Sequence, residues 1–340
     1  MAAALATGCS QTDPRAPVTA TRIPSGLQSR FYPPDGWTWG LIAPGAGVPL
    51  ARYGVSAPTG VASADVLILT SYGEPAEIWF ETARALNAKG YVVWVLEPVG
   101  QGGSGRYSRL RDLGYAESLV PDVLAARIAA ERVIHRRPLV VLASGTSAPA
   151  AIQALAAGTE AEGLILTSPR LAAAPAETLA KAREMGQRNL GWLRADLHGG
   201  WSPYADDRVQ GLTHDRARGR LRLAWQNENP ALRMGTPSWT WITAFAGAVQ
   251  SDAAAEPHLA PPVLVLEPAG AAASDTIDCR RMPHCTLQTI PGGGQALELE
   301  GDGARGPWLK AVGDAVDHAV SGFSPSVAAS SLDREGQGLG

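Results

Sequence analysis

Short apolar runs of strand length recur through the first half of the chain, with helical stretches between them. Val66-Leu67-Ile68-Leu69 is continuous, the mark of a strand buried on both faces. Residues 77–89 change to helical spacing: Ile78, Trp79 and Phe80 open an apolar face that Ala83 and Leu86 continue, and Gly90 ends it. The run 91–96 is the next buried strand. A helix over about 119–135 leads to a strand at 139–142, then a helix at 150–157 and a strand at 163–167. Ahead of these, 37–41 and 48–53 read as a pair of strands around the turn Pro44-Gly45-Ala46-Gly47. Strands alternating with helices predict an α/β protein with a doubly wound, mostly parallel sheet that binds ligands at the carboxyl ends of its strands.

From about residue 170 to 250 the alternation stops. This stretch is helical, polar and rich in tryptophan: Trp192, Trp201, Trp225, Trp239 and Trp241 are half of the chain's 10. The alternation returns with strands at 263–266 and 286–290 and a closing helix from about 307 to 320. The interruption reads as a helical cap, 170–250, inserted after the sixth strand of a core formed by 31–169 and 251–322. Residues 1–30 read as a leader and flexible tether, and 323–340 as a disordered tail.

Composition narrows the function classes. A hydrophobic fraction of 45% supports a sizeable core, and a net charge of −3 gives no field that would draw nucleic acid. The arginines at 216–222 read as a solvated helix face. No apolar run approaches the ~18 residues of a membrane span. The opening Leu5-Ala6-Thr7-Gly8-Cys9-Ser10 resembles a bacterial lipobox, which makes Cys9 a lipidation candidate. A lipidated Cys9 would attach the protein to a membrane and place it in the cell envelope as a lipoprotein; otherwise it is expected in the cytoplasm. With export, Cys279 and Cys285 would form a local disulfide. No metal or other cofactor is expected.

Several motifs carry a family resemblance. Tyr72-Gly73-Glu74-Pro75-Ala76-Glu77-Ile78-Trp79-Phe80-Glu81, then Lys89-Gly90-Tyr91-Val92-Val93-Trp94, then Gly100-Gln101-Gly102-Gly103-Ser104-Gly105-Arg106 are similar to the bacterial lysophospholipase and monoacylglycerol-lipase branch of the α/β-hydrolases, also called serine aminopeptidase-like. In the cap, Leu212-Thr213-His214-Asp215, Asn229-Pro230-Ala231-Leu232 and Gly235-Thr236-Pro237-Ser238-Trp239-Thr240-Trp241 resemble the same branch. The resemblance runs over about 45–320 and implies an α/β-hydrolase fold acting on carboxylic esters.

Such a hydrolase needs Ser, Asp and His in chain order, with an oxyanion hole of backbone N–H groups. The resemblance puts the nucleophile on the turn after the 139–142 strand. There the chain reads Ala143-Ser144-Gly145-Thr146-Ser147, with Gly145 in the central slot. The acid slot, in Ala269-Gly270-Ala271-Ala272, holds Ala272, and the base slot after the last strand holds Gln295. The oxyanion donors implied are the backbone N–H groups of Tyr72 and Thr146. The Asp-Trp-Arg of the branch is replaced by Glu97-Pro98-Val99.

Two readings lead, ahead of a third in which the chain is a purely structural envelope protein. In the first, the protein is a pseudoenzyme that keeps a capped pocket and binds a lipid-like molecule or a protein partner, with His214, Trp239 and Trp241 as pocket candidates. In the second, the site is rearranged into an active carboxylester or lysophospholipid hydrolase with Ser147 as nucleophile and Asp275 as acid. A relocated base is the difficulty of this reading: each histidine reads as structural or solvated, and His214 is the least implausible of them, because a cap residue can reach down into the pocket.

Overall fold

The computed structural model describes residues 13–110, 113–133, 137–172, 174–196, 211–271 and 278–323. One sheet of eight strands runs through it: β1 (Thr38–Ile42), β2 (Ala51–Ser56), β3 (Ala64–Leu69), β4 (Tyr91–Leu96), β5 (Leu139–Ser144), β6 (Gly163–Thr167), β7 (Val263–Pro268) and β8 (Cys285–Ile290). Their order is β1-β2-β4-β3-β5-β6-β7-β8. β2 is antiparallel to both neighbours, and every pairing from β4 onward is parallel. This is the α/β-hydrolase arrangement. β3 and β5 are buried at all six positions, as their unbroken apolar runs require of central parallel strands.

Helices cover both faces. α1 (Phe80–Ala88) and α7 (Asp302–Gly322) enclose one core layer with Phe31, Trp79 and Trp308. α2 (Val120–Arg132) and α3 (Ala148–Ala156) enclose the other, where small alanines let the helices sit close to Leu67, Val141 and Leu166. The buried Trp308 donates its indole N–H to Thr167 Oγ1 at 3.0 Å, so its one polar atom is satisfied. After β6 come the helices α4 (Ala176–Gln187), α5 (Leu221–Glu228) and α6 (Trp239–Ala255). No helix among the described residues is long and apolar enough to cross a membrane.

Three boundaries differ from the sequence expectation. β2 covers Ala51–Ser56, later than 48–53, because Pro49 lacks an N–H for a ladder and the register is fixed by β4, Tyr53 facing Leu96. α6 runs through residue 250 to Ala255, so one continuous helix crosses the expected end of the cap. α7 begins at Asp302, with Pro307 inside it. Asp302 suits the positive end of the helix, and Ala304, Arg305 and Trp308 already face the core, so the helix starts before the proline that looked like its first turn.

A buried ion cluster fixes the loop after β4. The Arg52 guanidinium bonds Glu77 at 2.8 and 2.9 Å and Glu97 at 2.6 and 2.7 Å, and all three side chains are fully buried. Glu97 also accepts the N–H groups of Ala76 and Gly103. The loop wraps so tightly that a Cβ on Gly103 would lie 2.1 Å from the Arg52 guanidinium, and one on Gly102 2.5 Å from Glu97. Gly102 and Gly103 are therefore a packing requirement of this cluster.

Candidate functional site

β5 ends at Ser144, and the chain turns at once through Gly145 into a short 3-10 turn and α3. Gly145 has φ +50°, the left-handed conformation that a glycine adopts without strain. Pro149 sits in the first turn of α3, where a missing N–H does no harm. Strand, sharp turn and helix form the nucleophile-elbow geometry, with Gly145 at its tip.

The surroundings of that tip are closed by hydroxyl groups. A Cβ built on Gly145 would lie 2.4 Å from Ser71 Oγ and 3.1 Å from Ser71 Cβ. Ser71, in the loop after β3, thus occupies the space that a side chain at 145 would need. Its Oγ accepts the Thr146 N–H at 3.1 Å and lies 3.2 Å from Thr146 Oγ1. Thr146 Oγ1 in turn accepts the Tyr72 N–H at 2.8 Å. The two N–H groups expected to form an oxyanion hole each have a different side-chain oxygen on them, Ser71 Oγ for Thr146 and Thr146 Oγ1 for Tyr72. Ser71 itself is held by its own N–H, which bonds Glu74 Oε2 at 2.9 Å.

The segment between β6 and β7, expected from the sequence to be a cap, is seated directly beside this cluster. Tyr72 donates its hydroxyl to the Gly235 carbonyl at 3.0 Å and meets Trp241 edge-on, ring centroids 4.8 Å apart. Trp241 stacks on Phe245 at 5.1 Å, and both are buried with Ala116, Leu119 and Ala248. Trp241 therefore belongs to the apolar contact between cap and core, whereas Trp239 is half-buried. Gly114 completes the fit, since a Cβ there would fall 1.6 Å from the Tyr72 hydroxyl.

Ser147 is buried and donates its Oγ–H to the Thr70 carbonyl. It also borders a cavity of about 20 Å³, room for a single water, together with Glu97 and Asp122. The Asp122 carboxyl is enclosed there although the residue is partly exposed, and burial pushes its pKa up to about 7 against the Val99 N–H that it accepts at 2.7 Å. Two larger cavities among the described residues, of about 340 and 330 Å³, lie away from the elbow. One is beside Arg15 and Arg106, and the other beside His284 and His318.

At the loop after β8, Gln295 is half-buried and the neighbouring carboxylate dominates. Glu300, 1% exposed, accepts the Gly294 N–H at 2.6 Å and the His214 N–H at 3.1 Å, and its Oε1 is 3.0 Å from His214 Nδ1. The His214 ring is otherwise largely in solvent, at 73% exposed. The Ala296 N–H bonds the Leu212 carbonyl at 2.7 Å, so this cap segment is laced to the Gln295 loop. Glu300 carries no signal of this role in the sequence, because nothing in the local residue order shows which of several glutamates turns inward.

Cys279 and Cys285 are joined by a disulfide in the crossover from β7 to β8. Cys9, Ala272 and Asp275 lie outside the described residues. Among the described residues no group of His, Cys, Asp and Glu is arranged to hold a metal ion.

A family model described as serine aminopeptidase, S33, matches residues 60–280. No curated protein matches in sequence. Among solved structures, a soluble variant of monoglyceride lipase from Saccharomyces cerevisiae is similar, with TM-score 0.62 and 17% identity over 83% of this chain and 96% of that one. A monoacylglycerol lipase from Paleococcus ferrophilus gives 0.58 and 17% over 80% and 98%. A thermostable carboxyl esterase from Bacillus coagulans gives 0.63 and 14% over 84% and 99%. These likenesses agree on the fold, and the family model spans well over half of the sequence. The chain belongs to the serine aminopeptidase S33 family of α/β-hydrolases.

Proposed function

We propose that this protein is a catalytically silent member of its family that binds a lipid-like ligand without hydrolysing it. The observation that carries this reading is the closed elbow. Gly145 offers no nucleophile, Ser71 Oγ fills the space beside it, and both oxyanion N–H groups are already bonded to hydroxyls. An oxyanion hole stabilises charge only if its donors are free to meet that charge as it develops. The residues in the other two slots agree: Gln295 cannot carry a proton near neutral pH, and Ala272 has no carboxylate to orient a base. Ser147 does not replace the nucleophile in this reading, because its hydroxyl is buried and spent on the Thr70 carbonyl. The lipid-like class rests on the retained cap and on the monoglyceride lipases to which the fold is similar.

The test is reaction with an alkyl fluorophosphonate read by intact mass, alongside native mass spectrometry of freshly purified protein for co-purified lipid. No adduct together with a bound acyl compound is expected. An adduct that disappears in Ser147→Ala would establish the rearranged hydrolase instead. A folded protein that carries and takes up no acyl compound would overturn the ligand, leaving a protein partner to be sought.

A further inference from the structure

α6 buries one stripe of side chains, Trp241, Phe245, Ala248 and Asp252, at the spacing of a single helix face. Three are apolar. The fourth is a carboxyl group, 1% exposed, set where the helix meets α3. Gln153 of α3 holds it there: its Nε2 donates to Asp252 Oδ1 at 2.9 Å and to the Ala248 carbonyl at 3.1 Å. The other oxygen, Oδ2, is buried and has no hydrogen-bond partner.

Among the described residues no cation is paired with this carboxyl. Arg281 pairs with Glu256 at 3.1 Å and gives its Nη2 to the Ala253 carbonyl. α4 also packs on α6, and its Lys181 and the following Arg188 both bond Glu184. α3 presents the neutral Gln153. The charged group acting on Asp252 from its own helix end is Glu256, of like sign and itself largely buried. An ionised carboxylate with one oxygen unpaired is expensive in such a place, whereas the protonated acid is tolerated.

We propose that Asp252 is a proton-operated clasp between cap and core: protonated, it seats the C-terminal half of α6 on α3, and on ionising it releases that half of the helix. Burial, reinforced by Glu256, pushes its pKa up to about 7, with the Gln153 bond acting in the opposite direction. The folded value lies above the ordinary carboxylate value, so the folded state holds the proton more tightly than the unfolded chain. The stabilisation is complete below about pH 4, declines as pH rises, and is gone once pH passes the folded value near 7. α3 is the helix that leaves the elbow, so release of α6 would loosen the cap over the same turn that the cap covers.

The test is hydrogen exchange of the full chain, with protection factors corrected for intrinsic rate, for peptides covering 244–255 between pH 5.5 and 8.5. Protection in the parent protein should fall at least fivefold between pH 5.5 and about 7 and level off above that, by a larger factor than for peptides of β3 and β5. Asp252→Asn keeps the acceptor for Gln153 and cannot ionise, so its protection should be flat over this range. Glu256→Gln should keep the fall and move it to lower pH. The clasp is overturned by parent protection that does not change across the range, by an equal fall in Asp252→Asn, or by a fall abolished in Glu256→Gln. The parent measurement decides the matter even where a variant fails to fold.

Discussion

Placing a serine at the elbow, Gly145→Ser, would restore the residue type that the turn geometry is built for, yet the structure predicts that it damages the protein. The new Cβ would lie 2.4 Å from Ser71 Oγ, whereas ordinary contacts of this kind begin near 3.4 Å, so Ser71 must move. Moving it breaks the 3.1 Å bond from the Thr146 N–H. A side chain at φ +50° costs about 1–2 kcal/mol, overpacking a closed site about 1–3 kcal/mol, and the lost hydrogen bond about 1 kcal/mol. Together these predict a loss of roughly 3–6 kcal/mol, a large share of an ordinary domain's stability. Ser71→Gly alone should cost about 1–2 kcal/mol, through the unpaired Thr146 N–H and a more flexible loop. In the double variant the collision is gone, so the two changes should couple favourably by about 1–3 kcal/mol. Urea unfolding of the four proteins, followed by tryptophan fluorescence, gives this cycle directly. Effects that add within about 0.5 kcal/mol would refute the claim that Ser71 fills the nucleophile's space. Reaction with fluorophosphonate supplies a second readout: any gain from Gly145→Ser should require Ser71→Gly.

Three other outcomes follow from buried polar groups. Arg52→Met leaves Glu77 and Glu97 buried without their cation and should cost about 3–5 kcal/mol in urea unfolding; a loss under about 1 kcal/mol would contradict the central role of that cluster. Asp122, pushed up to about 7 by burial, favours folding most at low pH and loses that contribution as pH rises from about 4 through 7. Asp122→Asn should therefore flatten part of the fall in Tm across this window, and a steeper fall would reverse the assigned sign. Ser147→Ala removes a donor to the Thr70 carbonyl and should lower stability by about 1 kcal/mol while leaving ligand uptake measured by native mass spectrometry unchanged.

The sheet was largely legible in the sequence because its strands are apolar on both faces. β3, β4, β5 and β6 are short unbroken runs bounded by glycine, proline or polar residues, and each fell within a residue or two of its expected place. The start of α7 was not, because its first turn is made of Asp302, Gly303, Ala304 and Arg305, which show no apolar period, and Pro307 imitates a first-turn signal. At the elbow, the glycine and its turn were visible from local residue order. That Ser71 had moved into the gap was not, since it lies 74 positions from Gly145 and only the pairing of β3 with β5 brings the two loops together. The same holds for Arg52 with Glu77 and Glu97: three separated charges gave no hint of one buried cluster, and Glu97 looked like a mere departure from a family motif. His214 was singled out as a cap residue, but its partner Glu300 became apparent only when the loop after β8 was seen to turn that carboxylate inward.

Acylation of the unmodified protein by p-nitrophenyl esters tests the central claim most directly. Intact mass recorded within seconds of mixing, over acyl chains of two to sixteen carbons, reports any covalent intermediate regardless of which serine forms it. A closed elbow predicts no acyl adduct, no burst of nitrophenol, and release no faster than with denatured protein. An adduct approaching one acyl group per chain, on Ser147 or any other serine, would contradict the account.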